Sequence, residues 1–172
     1  MPSDADRVAE AIVAHREQIF ALCLHLTGSR AEAQDAAQET FLALHRGLAG
    51  FRGDAKLSTW IYRIAVRSAL RIRGRRRPSE PLADELPDPA PGPEASAEAR
   101  EQTRAVLAAM AELPAEQRVV LALFAVEGLR HGEIAAVLGI PEGTVWSRLH
   151  QARRRLLALL PEESAGRSGQ KA

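Results

Sequence analysis

The sequence predicts an all-α protein made of two small helical domains joined by a flexible linker. Almost all of the chain outside 78–100 has the apolar spacing of helices, and no stretch alternates as a strand does. A proline-rich segment divides the 172 residues into halves that are each large enough for a modest core. We therefore expect helical domains at 1–77 and 101–160, a linker at 78–100 and a disordered tail at 161–172.

The first domain is predicted to contain three helices. Apolar residues recur every three or four positions along 8–26, which indicates the first helix. The second helix opens at Ser29, because its hydroxyl and Glu32 match the S-x-x-E capping box. Three glycines within 47–53 interrupt the pattern and predict a loop. The third helix is expected to begin near Ser58.

The second helix has a polar face that includes one leucine. Asp35, Gln38, Glu39, Leu42 and Arg46 project together, opposite the side expected to face the core. A solvated face with one stray leucine and a docking surface for a partner protein both explain this pattern.

The third helix carries an unusual density of arginine. Residues 60–77 contain seven arginines and no acidic residue. Arg63, Arg67 and Arg71 form an i, i+4, i+8 stripe with Trp60 at its head. Such a stripe can follow a phosphate backbone while the indole stacks on a base, which favours single-stranded nucleic acid. The alternatives are a core tryptophan and a basic helix that lies on an acidic partner or a membrane.

The charge distribution separates the two domains. Residues 1–77 carry 13 basic and 8 acidic side chains, whereas residues 78–100 carry 1 and 6. The segment 78–100 also holds six of the ten prolines and no aromatic residue. Because this composition buries too little apolar surface to offset chain entropy, it predicts a flexible acidic linker.

The second domain contains a sequence that fits a helix-turn-helix. In HGEIAAVLGIPEGTVWSRLHQARRRL, at 131–156, Ala135 is small where two helices cross and Gly139 permits the turn. Val145 supplies a core residue of the second helix. The side chains left outward on that helix suit phosphates and base edges in a major groove. A small bundle with an arginine-rich exposed end is the alternative interpretation.

Several function classes are not expected from this composition. Cys23 is the single cysteine, so an intramolecular disulfide is impossible. The acidic MPSDADRVAE does not resemble a signal peptide, and the longest apolar run, 119–126, is too short to span a bilayer. The five histidines are scattered, and no nucleophile motif or phosphate-binding glycine loop occurs. We expect a cytoplasmic protein that is not an enzyme and has no metal, no cofactor and no membrane insertion.

Three segments together resemble a known family. DAAQETFLAL at 35–44, FRGDAKLSTWIYRIAVRSA at 51–69 and LPAEQRVVLALFAVEGLRHGEIAAVLGIPEGTVWSRLHQARRRL at 113–156 resemble the bacterial RNA polymerase sigma factors of the extracytoplasmic-function type, in the sigma-70 class. The resemblance implies that the domains are sigma region 2 and sigma region 4. It also implies an alternative sigma factor that directs promoter-specific transcription initiation.

The resemblance also implies which residues contact polymerase and promoter DNA. The core RNA polymerase would be contacted through its β′ clamp helices and β flap, with the clamp helices bound by Asp35, Gln38, Glu39 and Leu42. The melted non-template strand of the minus-ten element would be captured by Phe51, Lys56, Ser58, Thr59, Trp60, Arg63, Arg67 and Arg71. The duplex minus-thirty-five element would be contacted by Thr144, Trp146, Ser147, Arg148, His150, Gln151, Arg153 and Arg154. An anti-sigma factor is the regulator that the family implies, and no homo-oligomer is needed.

The residues that depart from the family pattern are Arg67 with Ser68 on the third helix, and Trp146 and Gln151 in the helix-turn-helix. Arg67 stands where many members carry asparagine, and Trp146 stands where a lysine or arginine is usual. The first departure bears on minus-ten specificity, and the second removes a cation from the recognition helix. The main alternative function is a helix-turn-helix regulator that binds duplex DNA without polymerase, and it would be expected to dimerise on a palindrome.

Overall fold

A computed structural model describes residues 4–75 and 96–160. Within these ranges the chain forms seven α-helices and one 3-10 helix at Leu48–Gly50, and no strand. The α-helices are α1 Asp4–Thr27, α2 Arg30–Gly47, α3 Leu57–Gly74, α4 Ala97–Ala111, α5 Ala115–Ala125, α6 His131–Leu138 and α7 Glu142–Leu159. The all-α prediction is confirmed. Most of the expected linker and the expected tail lie outside the described residues.

Helices α1, α2 and α3 pack against one another as the first bundle. Its centre holds fully buried apolar side chains from all three helices, among them Leu22, Leu44 and Ile61. The Ser29 hydroxyl caps α2 by accepting a hydrogen bond from the backbone N–H of Glu32. The serine half of the predicted capping box thus caps the helix that carries the polar face, while the Ser29 backbone N–H donates to the Thr27 hydroxyl.

Helices α6 and α7 form the predicted helix-turn-helix, and α5 packs against both. Gly139 ends α6 in the left-handed backbone region at φ +66°, which glycine adopts without steric cost. Ile134 on α6 and Val145 and Leu149 on α7 are buried in the shared core. The inward side of α7 is thus fixed, and its opposite side faces solvent.

Helix α4 begins earlier than the sequence suggested. The Ser96 hydroxyl accepts a hydrogen bond from the Ala99 backbone N–H and starts α4 at Ala97, inside the segment expected to be linker. Helix α4 packs on α1 as well as on α7. Of the helices described, none is both long and apolar enough to cross a membrane.

Candidate nucleic-acid interface

The polar face of α2 borders a surface concavity of about 510 Å³ between α2 and α3. Its lining includes all four residues predicted to dock on polymerase, Asp35, Gln38, Glu39 and Leu42. The Leu42 side chain is 49% exposed, so it lies in water unless a partner covers it. The structure therefore brings the four predicted docking residues together on one face.

The same face continues into a larger groove between α1 and α2. This groove has a volume of about 1130 Å³, and Gln38 and Leu42 line it together with the apolar side chains of Phe20, Leu24 and Phe41. Leu42 thus stands on the ridge between two concavities. Such a ridge can insert an apolar side chain between the helices of a partner.

Trp60 at the start of α3 packs against the loop that precedes the helix. Its ring lies 5.1 Å from the ring of Phe51, measured between centroids. Gly47 permits this packing, because a Cβ atom there would lie only 2.9 Å from the indole. Both aromatic rings remain half-buried. They form one aromatic surface at the head of the arginine stripe, and each keeps an exposed part.

The three arginines of the stripe have different environments. Arg63 donates from Nη2 to the Ala136 carbonyl at 2.6 Å and from Nε to the Val137 carbonyl at 3.2 Å. Arg71 forms an ion pair with Glu39 of the α2 face. Arg67 is exposed, and none of the hydrogen bonds or ion pairs recorded for the described residues involves its guanidinium. Arg67 therefore faces solvent, whereas the guanidinium groups of Arg63 and Arg71 are bonded within the protein.

The residues that lead into α3 are less accessible than the sequence suggested. Lys56 is exposed and lies 3.5 Å from a Glu133 carboxylate oxygen, measured from Nζ. Ser58 is half-buried and Thr59 is buried. Of these three predicted strand-binding residues, Lys56 alone is well exposed.

Helix α7 presents the predicted recognition surface. Trp146, Ser147 and His150 are exposed on it, and Thr144 is half-buried. The Trp146 ring stacks on the ring of His131, which begins α6, with centroids 4.6 Å apart. The stack holds the indole close to the protein while 60% of the residue stays exposed.

Four other predicted residues of α7 divide between internal contacts and solvent. Arg148 pairs with Glu116 of α5 at 2.8 Å, and the Gln151 amide oxygen accepts a hydrogen bond from Gln117 at 3.0 Å. The Arg153 guanidinium lies 4.8 Å above the centre of the Phe124 ring. Arg154 is exposed. Arg148 and Gln151 therefore brace α7 against α5, while Arg153 and Arg154 keep cations at its surface.

A set of residues that the sequence did not predict joins the two halves. Arg118 is 3% exposed, and Arg73 is half-buried. Both donate to the Ala111 carbonyl and to the Leu26 carbonyl at the end of α1. Main-chain carbonyls have no sequence signature, and a buried arginine in a helix is indistinguishable from a surface arginine by spacing. No sequence signal predicted these bonds.

A second contact between the halves joins α3 to the segment after α5. The Tyr62 hydroxyl donates to a Glu127 carboxylate oxygen at 2.8 Å. Burial raises the pKa of Glu127, although the hydrogen bond from Tyr62 acts in the opposite direction. Burial also raises the pKa of Tyr62, as does its bond to Glu127. The tyrosine therefore stays protonated and acts as the donor.

Cys23 is fully buried and forms no disulfide. Burial, with a smaller effect of the Glu127 charge, raises the pKa of its thiol to about 12. Because the thiolate is the reactive form, this cysteine is chemically inert while the chain is folded. Within 4–75 and 96–160, no cluster of three histidine, cysteine or acidic side chains could hold a metal ion.

Comparison with known proteins assigns the family. Residues 11–78 match the family described as sigma-70 region 2, and residues 103–156 match sigma-70, region 4. The factor SigM of Mycobacterium tuberculosis is 38% identical over 148 residues, covering 85% of this chain and 73% of SigM. SigW of Bacillus subtilis is 31% identical, covering 89% of this chain and 88% of SigW. The chain belongs to the extracytoplasmic-function sigma factors of the sigma-70 class.

Two solved structures share this fold. CnrH in complex with the cytosolic domain of CnrY matches with a TM-score of 0.69 at 24% identity, covering 88% of this chain and 86% of CnrH. RpoE of Bartonella quintana, in complex with the anti-sigma factor NepR, matches with a TM-score of 0.69 at 23% identity, covering 88% and 94%. Sigma factors are transcription factors without enzymatic activity of their own. This sigma factor directs promoter-specific transcription initiation by core RNA polymerase.

Proposed function

We propose that three surfaces of this sigma factor have separate roles in transcription initiation. The α2 face binds core polymerase, the α3 face captures the melted non-template strand, and the outward face of α7 contacts the upstream duplex. The domains at 1–77 and 101–160 carry these tasks. The observation that supports this division is that the three predicted sets of residues lie on three different helices or, for Phe51 and Lys56, in the loop before one, each set with exposed side chains.

The docking surface is centred on Leu42. Its side chain is half exposed between two concavities. When a partner covers it, binding is favoured by about 25 cal/mol per Å² of apolar area removed from water. Asp35, Gln38 and Glu39 around it supply hydrogen-bond acceptors and charge that fix the orientation of the partner. The β′ clamp helices of polymerase are the partner that we assign to this face.

Strand capture uses cations and aromatic rings. Arg67, with Arg63 and Lys56, attracts the phosphates of the non-template strand, while the Phe51 and Trp60 rings offer a stacking surface for unpaired bases. Arg71 acts mainly by holding α3 to α2 through Glu39. Ser58 and Thr59 shape the start of α3.

Duplex recognition uses the outward side of α7. Ser147, His150 and Arg154 extend into the major groove from this exposed side, with Thr144 at its edge. Trp146 contacts the groove wall from its stack on His131. The bracing of Arg148 and Gln151 against α5 fixes the angle at which α7 enters the groove.

Further properties follow from this role. The chain supplies promoter choice and strand capture, and polymerase supplies the chemistry, so the protein itself is not an enzyme. Because polymerase acts in the cytoplasm, we place the protein there. An anti-sigma factor that covers the α2 face would regulate it, and one copy per polymerase is sufficient.

Replacing Leu42 tests the docking surface. We expect Leu42→Ala to weaken binding to core polymerase about tenfold, because the variant loses the apolar side chain at the centre of the face. Co-sedimentation or fluorescence anisotropy with core polymerase measures this. Val13→Ala is the matched control, since Val13 is 80% exposed on α1 and lies outside the face. Equal affinities of the two variants would contradict the assignment.

Reversing the charge of Arg67 tests strand capture. We expect Arg67→Glu to bind core polymerase normally and to form about tenfold fewer open complexes, because it repels strand phosphates. Permanganate footprinting of unpaired thymines measures the open complexes. Arg104→Glu is the control, because Arg104 is exposed on α4 and lines neither concavity of the docking face. Parental levels of open complex in the Arg67 variant would show that α3 does not hold the strand.

A further inference from the structure

Trp146 is the most exposed aromatic residue in the described ranges, with 60% of the residue open to solvent. It is the fifth residue of α7, in the N-terminal part of the helix that a helix-turn-helix places against base edges. Its indole carries no charge and has one N–H donor and no acceptor. Trp146 therefore differs in kind from the polar and cationic side chains near it, Ser147, His150 and Arg154.

A row of three rings holds the indole in place. The Trp146 and His131 rings are nearly parallel, with centroids 4.6 Å apart and 20° between their planes. The His131 ring lies in turn 5.5 Å from the ring of Phe124, at 23°. Trp146 is the outer ring of this row and is supported by His131. Because a side chain that is already ordered loses little conformational entropy on binding, the row preorganises the indole for contact with a ligand.

The helix surface next to the indole is open. Gly143 precedes Trp146 by three residues and lies on the same side of α7. A Cβ atom at Gly143 would meet no other atom within 4 Å. Side chains of a helix lean towards its N-terminus, so the indole extends over the turn that contains this glycine. A base edge can therefore approach the indole without a clash at Gly143.

The charge near the stack disfavours a phosphate as the partner of the indole. Glu142 lies one turn before Trp146, and its Oε2 atom is 3.8 Å from the position that a Cβ atom of Gly132 would occupy at the start of α6. This carboxylate repels the phosphates of DNA. Polar base edges also fit poorly, because an amino or carbonyl group buried without a partner costs free energy. The C5-methyl of thymine is the apolar group that base pairs present in the major groove.

We propose that Trp146 recognises one thymine of the upstream duplex element by packing its indole against the C5-methyl group, and that His131 is the residue that positions the indole. This inference rests on the proposed role of α7 in duplex recognition. It assigns a base preference to a side chain that has neither the charge nor the paired donors and acceptors of the residues that usually select bases.

Removing single methyl groups from the DNA tests the proposal. Deoxyuridine replaces one thymine at a time in the upstream element of a promoter duplex, which removes the methyl group and keeps the base pair. We expect one position at which the complex of core polymerase and the full chain binds about fourfold more weakly, the effect of burying one methyl group. Filter binding measures the affinities.

Two variants of α7 connect this effect to the indole. Trp146→Lys should bind the thymine and deoxyuridine duplexes equally, because a lysine makes no comparable contact with the methyl group. Arg154→Ala is the matched control, since Arg154 is exposed further along the same helix. It should bind both duplexes more weakly and keep the fourfold ratio between them.

Two variants of His131 test its positioning role. His131→Phe keeps a ring in the row and should keep the fourfold ratio, whereas His131→Ala should bring the ratio close to one. A loss of folding alone would weaken binding to both duplexes and leave the ratio unchanged. In a promoter with cytosine in place of the selected thymine, 5-methylation of that cytosine should restore part of the affinity for the parental chain and none for Trp146→Lys.

Three results would overturn the inference: equal binding of every deoxyuridine duplex by the parental chain, a methyl effect that persists in Trp146→Lys, or an upstream element that requires no thymine. If Arg154→Ala also binds every promoter as the parental chain does, the proposed role of α7 fails together with the inference. A normal loss of affinity in Arg154→Ala without any methyl effect overturns the inference alone.

Discussion

The partly buried carboxyl group of Glu127 makes the stability of the folded chain depend on pH. One of its carboxylate oxygens accepts the Tyr62 hydroxyl, and the other is buried without a protein partner. Burial raises the pKa of this carboxyl, so the folded chain keeps a proton at a pH at which the unfolded chain has lost it. The stability that this group contributes is therefore complete at acid pH and is lost as pH rises through the raised pKa.

Glu127→Gln should remove this pH dependence. The glutamine amide still accepts the Tyr62 hydroxyl and never acquires a charge, so the variant gains stability relative to the parental chain as pH rises from about 4 towards neutral. The gain should stay below about 1 kcal/mol, because the carboxyl is only partly shielded from solvent. Urea unfolding at a series of pH values measures it. A constant difference between the two chains across this range would contradict the expectation.

At the scale of elements, the helix-turn-helix follows the sequence closely. Gly139 lies at the turn and Val145 in the core, as their spacing predicted. Helix α7 takes part in a feature that spacing could not show, a stack of Phe124, His131 and Trp146 contributed by α5, α6 and α7. A stack that joins three helices is formed by tertiary packing, and periodicity within one helix carries no information about it.

The stack predicts the behaviour of Trp146→Ala. We expect promoter binding by the polymerase complex to weaken several-fold, because the variant loses the aromatic contact with the duplex. The free energy of unfolding should fall by only about 1–2 kcal/mol, since the stacked pair contributes about 0.5–1.5 kcal/mol beyond its area burial and most of the residue is exposed. Filter binding and thermal unfolding measure the two effects. A large loss of stability with normal promoter binding would assign Trp146 to the core instead.

At the scale of the whole molecule, the sequence predicted the two helical halves and not their arrangement. Apolar periodicity shows which side of a helix is buried, as it did for the stripe along 8–26 that contains the buried Leu22, and it does not show what covers that side. Several of the contacts between the halves run from arginines to carbonyl groups at helix ends. Every helix has such carbonyls, so Arg73 and Arg118 could not be matched to their acceptors in advance.

We expect Arg118 to contribute more than any other side chain to holding the two halves together. It is buried and donates to carbonyls of both halves, among them those of Leu26 and Leu113. We expect Arg118→Met to destabilise the chain by about 3 kcal/mol, because it leaves buried carbonyls without donors. Arg118→Lys should lose less, since it keeps the charge and some donors. Urea unfolding measures both, and a loss below about 0.5 kcal/mol, typical of a surface change, would contradict the role.

The central claim is that this chain chooses where polymerase begins transcription. Sequencing of transcript 5′ ends from a pool of genomic promoters, with purified core polymerase and the full chain, tests it directly. The expected result is a set of start sites, absent with core polymerase alone, that lie downstream of one shared pair of upstream sequence elements. Start sites that are the same with and without the chain would contradict the claim.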